Sequence, residues 1–307
     1  MIDKIKYLAK VMIKNYSIAK SLKNPELWLL GIGSSLVAIN LTLALRHSNI
    51  TNLYIFFLYF ITIYSLLKEK RYDLTLESGI ISSSLGTLLL VLVFINSTLQ
   101  INSVAIFLLP PIMSGFGLAL LASGYQGLKQ YRKELLILGF LTIRSLLMVL
   151  PYKIDISLLT AKLSTAILWY TGFQVSRSGV ILNLPTGSVE VYYRCAGTDM
   201  IIDLLSLAVL FIFIFNLSLQ QKFLVPIVAA TLGFIVNGFR VALMAILVAQ
   251  GDKQAFEYWH QGDGSLIFSM ISTLFFGCFC WFLLSRNERE NQNTTDTQGD
   301  ALETNPD

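Results

Sequence analysis

Residues 223–249 read FLVPIVAATLGFIVNGFRVALMAILVA, an apolar run interrupted by a single charge, Arg240. A helix rises about 1.5 Å per residue and needs about 20 residues to cross roughly 30 Å of hydrocarbon, so this stretch alone is long enough to span a bilayer. On either side of it lie seven further apolar runs, at about 27–45, 53–67, 79–95, 104–122, 135–150, 198–217 and 265–284. The chain of 307 residues is 54% apolar and only 14% charged, a balance that leaves too little polar surface for a soluble domain. These observations predict an all-α integral membrane protein with about eight transmembrane helices.

Between the fifth and sixth runs the pattern weakens. Residues 158–172 are only moderately apolar, and 174–193 carry Gly179, Pro185 and Gly187 with Val189 and Val191 in alternation, which reads as a short extracytoplasmic β-like hairpin before the sixth span. Residues 1–26 place Ile5, Leu8, Met12 and Ile13 near helical spacing among lysines, as expected of a basic amphipathic cytoplasmic segment. No small-residue cleavage site follows the first run, so no signal peptide is read there. Residues 27–284 then form the polytopic membrane domain. Residues 285–307, rich in Asn, Thr, Glu and Asp, read as a disordered cytoplasmic tail.

Cationic loops resist translocation, and this fixes an orientation. With an even number of spans both termini share one side, and that side collects fifteen of the 23 lysines and arginines while the opposite side keeps six. Both termini are therefore expected in the cytoplasm. The net charge of +4 follows from this topology and implies no nucleic-acid partner.

Three cysteines and two histidines limit where thiol or imidazole chemistry can occur. Cys278 and Cys280 fall within the last span and read as packing residues. Cys195 stands instead at the outer mouth of the sixth span, in Tyr193-Arg194-Cys195-Ala196-Gly197-Thr198-Asp199, without an evident disulfide partner. A helix beginning near Ala196 would aim free N–H groups at the sulfur, and with Arg194 this would favour a thiolate. Asp199, Asp203 and Ser206 follow at helical spacing, which predicts one polar face shared with Cys195. Arg240 lies about 25 Å along its helix from Phe223, in the outer third of the bilayer, with Asn237 one turn earlier and Gly238 free to admit a neighbouring helix. His260 sits in a short outer loop, Glu257-Tyr258-Trp259-His260-Gln261-Gly262-Asp263-Gly264.

Topology thus brings a thiol, a guanidinium and an imidazole to one depth on three consecutive spans. Cysteine with histidine as base suits acyl transfer, and a fixed cation can stabilise the developing oxyanion. One Cys and one His lack the further ligands zinc requires, so no metal and no cofactor are expected. Ionisable groups within spans, Arg144 and Asp203 among them, leave two other readings open: a polytopic transporter, or a non-catalytic subunit of a polysaccharide export system.

The residues from about Trp169 to Cys280 resemble the exosortase/archaeosortase family, and within it the cyanoexosortase A branch. The resemblance is carried by Thr171-Gly172-Phe173, Leu184-Pro185-Thr186-Gly187, Cys195-Ala196-Gly197, the segment from Val236 to Met244, and the segment from Phe256 to Phe268. Ala196 stands where exosortases usually carry Ser. The resemblance implies a cysteine-dependent peptidase or transpeptidase with Cys195, Arg240 and His260 as catalytic residues and Asn237, Asp199 and Asp263 in support. It further implies substrates anchored by a PEP-CTERM tail, processed at the outer face of a bacterial, cyanobacterial-type plasma or inner membrane.

Overall fold

The computed structural model describes residues 25–47, 50–98, 109–149, 155–260, 262 and 264–303. The expected amino-terminal amphipathic segment lies almost wholly outside these residues. The described chain is mostly helical with one small sheet, and it divides into two compact units, Met1–Leu146 and Leu147–Asp307.

The first unit contains α1 (Pro25–His47), α2 (Ile50–Glu69), α3 (Ile80–Thr98), α4 (Pro110–Gly127), a 3-10 turn at Leu128–Tyr131 and most of α5 (Arg132–Val149). α3 and α4 meet at glycines: a Cβ added to Gly86 would lie 2.7 Å from the Gly117 carbonyl oxygen, so these backbones touch where a larger residue would hold them apart. At one end the unit is tied by polar groups. Lys70 pairs with the buried carboxylate of Glu134 at 2.8 Å, and also donates to the Gln130 carbonyl. Alongside, the Ser123 hydroxyl donates to the Thr75 carbonyl at 2.6 Å and meets the Tyr131 hydroxyl at 2.8 Å. Arg144 is buried on α5.

The second unit begins with α6 (Ser157–Tyr170) and a sheet of β1 (Ser176–Ser178), β2 (Ile181–Leu184) and β3 (Gly187–Glu190). A 3-10 turn at Tyr193–Cys195 leads into α7 (Thr198–Ile214), then α8 (Leu219–Ala249), α9 (Lys253–His260) and α10 (Gly264–Glu303). α8 is the axis against which α6, α7, α9, α10 and the sheet pack. It starts at a capping box in which the Ser218 side chain accepts from the Gln221 N–H and Gln221 reaches back, satisfying two N–H groups that a helix start otherwise leaves unpaired. Leu204, Ala208, Val225, Ala229 and Phe276 fill the core at that end. Toward the other end Leu168, Leu182, Leu184, Val191, Val241 and Ala245 form a second core between α6, the sheet and α8, each large side chain contributing roughly 1.5–3 kcal/mol by burial.

The sheet is an antiparallel meander, with Arg177 opposite Leu182 and Ile181 opposite Glu190. The expected hairpin is therefore present with one strand more, because the glycine at 179 takes a left-handed φ of 63° and turns the chain a second time. Leu182 and Leu184 alternate inward. Gly187 lies against Val248, and the Thr186 hydroxyl donates to the Ala249 carbonyl, so the sheet seats on the last turns of α8.

Among the described residues a helix falls within each apolar run, but five are long and apolar enough to cross a membrane: Glu26–Leu43, Ile80–Thr98, Tyr193–Ile214, Leu219–Ala249 and Gly264–Arg289. α4 is diluted by two prolines, glycines and serines, and α5 carries Arg132, Lys133, Glu134 and Arg144. Two further differences have local causes. The moderately apolar stretch 158–172 is helical as far as Tyr170, with Thr160 and Ser164 turned inward to bond backbone carbonyls of other segments. α10 continues to Glu303, where composition predicts a tail, since no proline interrupts the chain after Pro226 until Pro306.

Candidate active site

α8 has 31 residues and is thus about 46 Å long, roughly 15 Å more than a hydrocarbon core. The capping box holds one end and the sheet seats on the other, near which Arg240 lies. The sheet-proximal part of α8 is where the chemistry-bearing side chains gather.

Cys195 ends the short 3-10 turn, its N–H donating to the Tyr192 carbonyl at 2.7 Å. Two residues later Gly197 adopts φ 94°, a region in which L side chains are strained, and α7 starts only at Thr198. Glycine is required there twice over, because a Cβ would lie 2.6 Å from the Asn237 side chain. The Asn237 amide donates to the Cys195 carbonyl at 2.9 Å, and the buried Thr160 hydroxyl on α6 donates to the Ala196 carbonyl at 2.7 Å. Ser164, one turn further on, donates to the Gly238 carbonyl at 2.9 Å, and Gly238 receives Leu163 of α6 against its bare Cα.

The third group returns by a reversal. After Ala249 the chain turns at Gly251, whose φ is 73°, and α9 runs back alongside α8. Its eight residues descend about 12 Å, close to the rise between Arg240 and Ala249, so His260 arrives level with Arg240. An Arg240 guanidinium nitrogen donates to the His260 carbonyl at 2.8 Å and holds the end of α9. The imidazole stacks on Phe256, one helical turn earlier, with ring centroids 5.0 Å apart. Its Nε2 lies 3.1 Å from the Cys195 sulfur.

The imidazole of this pair is held in its neutral form. Burial first, and the nearby Arg240 charge second, hold His260 below the ordinary imidazole range, so the ring is neutral at pH 7. A neutral imidazole against a thiol can take its proton and leave a sulfur nucleophile. The guanidinium that acts on His260 also acts on Cys195. The Nε of Arg240 is buried without a hydrogen-bond partner, so this cation retains a donor.

Several expectations are met differently. Arg194 is exposed and lies over Tyr193, its Nε 3.3 Å from the phenol oxygen, so its guanidinium is engaged away from the thiol. Cys195 shares no helical face with Asp199, Asp203 and Ser206, because the left-handed Gly197 separates the 3-10 turn from α7. Asp203 and Ser206 are buried within α7, while Asp199 is exposed and its charge reaches Arg240. Asn237 acts on the cysteine backbone rather than as a partner of Arg240. His260 ends a helix instead of occupying a loop, and Asp263 lies outside the described residues. Cys278 and Cys280 are unpaired on α10, the first exposed and the second buried. Thr160, Ser164 and Phe256 escape a reading of the sequence; the i, i+4 spacings of Thr160 with Ser164 and of Phe256 with His260 are their only signal, and it appears only once those segments are helices.

The described residues contain no group of three or more His, Cys, Asp or Glu side chains placed to hold a metal ion. A family model described as Transmembrane exosortase (Exosortase_EpsH) matches residues 47–277, the greater part of the chain and all of the site. Neither a curated protein nor a solved structure matches it.

Proposed function

This chain belongs to the transmembrane exosortase family, and on that premise we propose that it is a membrane-embedded cysteine peptidase or transpeptidase, of the cyanoexosortase A branch, acting on proteins anchored by a PEP-CTERM tail. The family and the several long apolar helices suggest a multi-pass membrane protein consistent with processing of a sorting signal. The observation that carries the enzymatic reading is the 3.1 Å approach of the Cys195 sulfur to Nε2 of His260.

In this reading Nε2 removes the thiol proton as sulfur attacks a substrate carbonyl near the extracytoplasmic membrane surface. Arg240 stabilises the oxyanion with the donors left to it, in a setting dry enough for such an interaction to be strong. The C–N bond then breaks, the imidazolium returns its proton to the leaving amine, and a thioester remains on Cys195. Water or an acceptor amine resolves it. A substrate with one spanning helix would bring its cleavage motif to this depth by lateral diffusion, with no route through the protein needed.

The test is mass spectrometry of a candidate target's mature carboxyl terminus in cells carrying the wild-type chain or Cys195→Ala. Loss of the mature terminus, with the variant still inserted in the membrane, is expected. A mature terminus that forms unchanged overturns the proposal.

A further inference from the structure

Resting on the cysteine reading above, we propose that Thr160 is a positioning residue for the Cys195 thiol, acting through the backbone of the cysteine turn in concert with Asn237. The segment that carries it, α6, contributes no group to the sulfur, the imidazole or the guanidinium. Its contribution is made one residue further along the chain, at the Ala196 carbonyl.

Two consecutive carbonyls in this turn, those of Cys195 and Ala196, are claimed by side chains from two different helices. Asn237 of α8 donates to the first at 2.9 Å and Thr160 of α6 donates to the second at 2.7 Å. Thr160 and Asn237 are both fully buried, with 0% of their surface exposed. A peptide unit is planar, so pinning its oxygen also fixes the direction of its N–H and the torsions on either side. Here the pinned units flank Ala196, whose φ of −66° and ψ of −16° lead into the left-handed Gly197. A glycine in that position has the widest freedom of any residue, and without the two clamps the turn could swing about it. With them, Cβ of Cys195 points where Sγ can reach His260.

The clamp also explains an otherwise costly feature of α6. A hydroxyl buried at 0% exposure on a helix of this kind most easily bonds a carbonyl of its own preceding turn, as Thr165 does with Ala161. Thr160 instead spends its single proton on Ala196, 36 residues away. Ser164 is its matched control: it is equally buried, is one turn along on the same helix, and bonds the Gly238 carbonyl, which is not in the cysteine turn.

The experiment measures the rate of Cys195 alkylation by iodoacetamide against pH, in the full-length chain with Cys278→Ala and Cys280→Ala, and the kcat and KM of target processing in parallel. Thr160→Val is expected to slow alkylation near neutral pH about tenfold, the equivalent of one hydrogen bond. It is expected to erase the inflection due to His260 and to lower kcat about 100-fold at unchanged KM, as a displacement on the order of 1 Å would. Thr160→Ser, which keeps the hydroxyl, is expected to restore both to within about threefold. In a His260→Ala background Thr160→Val is expected to add less than about twofold, because the contact it positions is already gone.

An unchanged alkylation profile in Thr160→Val, a full additive loss on His260→Ala, or an equal loss in Ser164→Ala would each overturn the inference. Alkylation needs no substrate. The inference can therefore fail while Cys195→Ala still abolishes processing, and the functional reading can fail while the thiol and imidazole remain coupled through Thr160.

Discussion

The sulfur of Cys195 and Nε2 of His260 lie 3.1 Å apart although 65 positions separate them in the chain. Nothing local joins them; Cys195 ends a 3-10 turn just before the left-handed Gly197, and His260 returns on α9 after the turn at Gly251. If proton transfer across this contact drives the reaction, His260→Ala is expected to lower turnover by about 10²- to 10⁴-fold, the usual weight of a positioned general base. His260→Gln, which preserves volume without a comparable base, is expected to be as slow. Target processing by each variant at matched membrane levels checks this.

The pH dependence follows from the direction in which His260 is moved. Burial and the Arg240 charge disfavour its protonated form, so the neutral, working form persists below the ordinary imidazole value of about 6.5. Activity is expected to hold as pH falls through that value and to be lost only below it. Removing the like charge with Arg240→Met raises the imidazole constant by a small amount, since burial is the larger cause, and moves the acid limb toward neutrality. The limb is read from Cys195 alkylation, which survives loss of turnover; a limb above about 6.5 in the wild-type chain would contradict the assignment.

Gly197→Ala tests the turn itself. The left-handed φ of 94° costs any other residue roughly 1–2 kcal/mol, and the new methyl would press on Asn237 at 2.6–2.8 Å. The strain is expected to be relieved by displacing the turn, so processing falls by at least about 100-fold while the helical content measured by circular dichroism is retained.

In the first unit, Lys70→Met leaves the Glu134 carboxylate, 5% exposed, without its cation. A buried charge that has lost its partner typically costs about 3–5 kcal/mol, and the partial exposure of the lysine places the expected loss near 2–3 kcal/mol. Thermal unfolding in detergent is the measurement. Lys70→Met combined with Glu134→Gln is expected to recover most of the loss, because no uncompensated charge then remains.

The long elements were legible in the sequence because apolar runs are a matter of counting, and Cys195, Arg240 and His260 stand out as rare polar groups near span ends. The local geometry was not legible. Helical spacing after Cys195 suggests a shared face with Asp199 and Asp203, yet Gly197 breaks the helix between them, and a glycine's sign of φ is not written in its neighbours. Arg194, adjacent in sequence, turns to Tyr193, whereas Arg240, distant in sequence, supplies the charge. Residues 158–172 looked weak because their Ser and Thr lower the apolar count, and those same hydroxyls hold the cysteine turn and α8.

The reversal at Gly251 makes the site a length gauge. Arg240 and His260 meet because the chain climbs one helix and steps back down another by nearly equal amounts, so the register of the two depends on how many residues lie between, more than on which they are. A single inserted residue in α9 would rotate the imidazole by about 100° and shift it about 1.5 Å, swinging it off the sulfur. Evolution can therefore repaint the exposed side of this descending helix freely, while every insertion or deletion along it is a lesion in the active site.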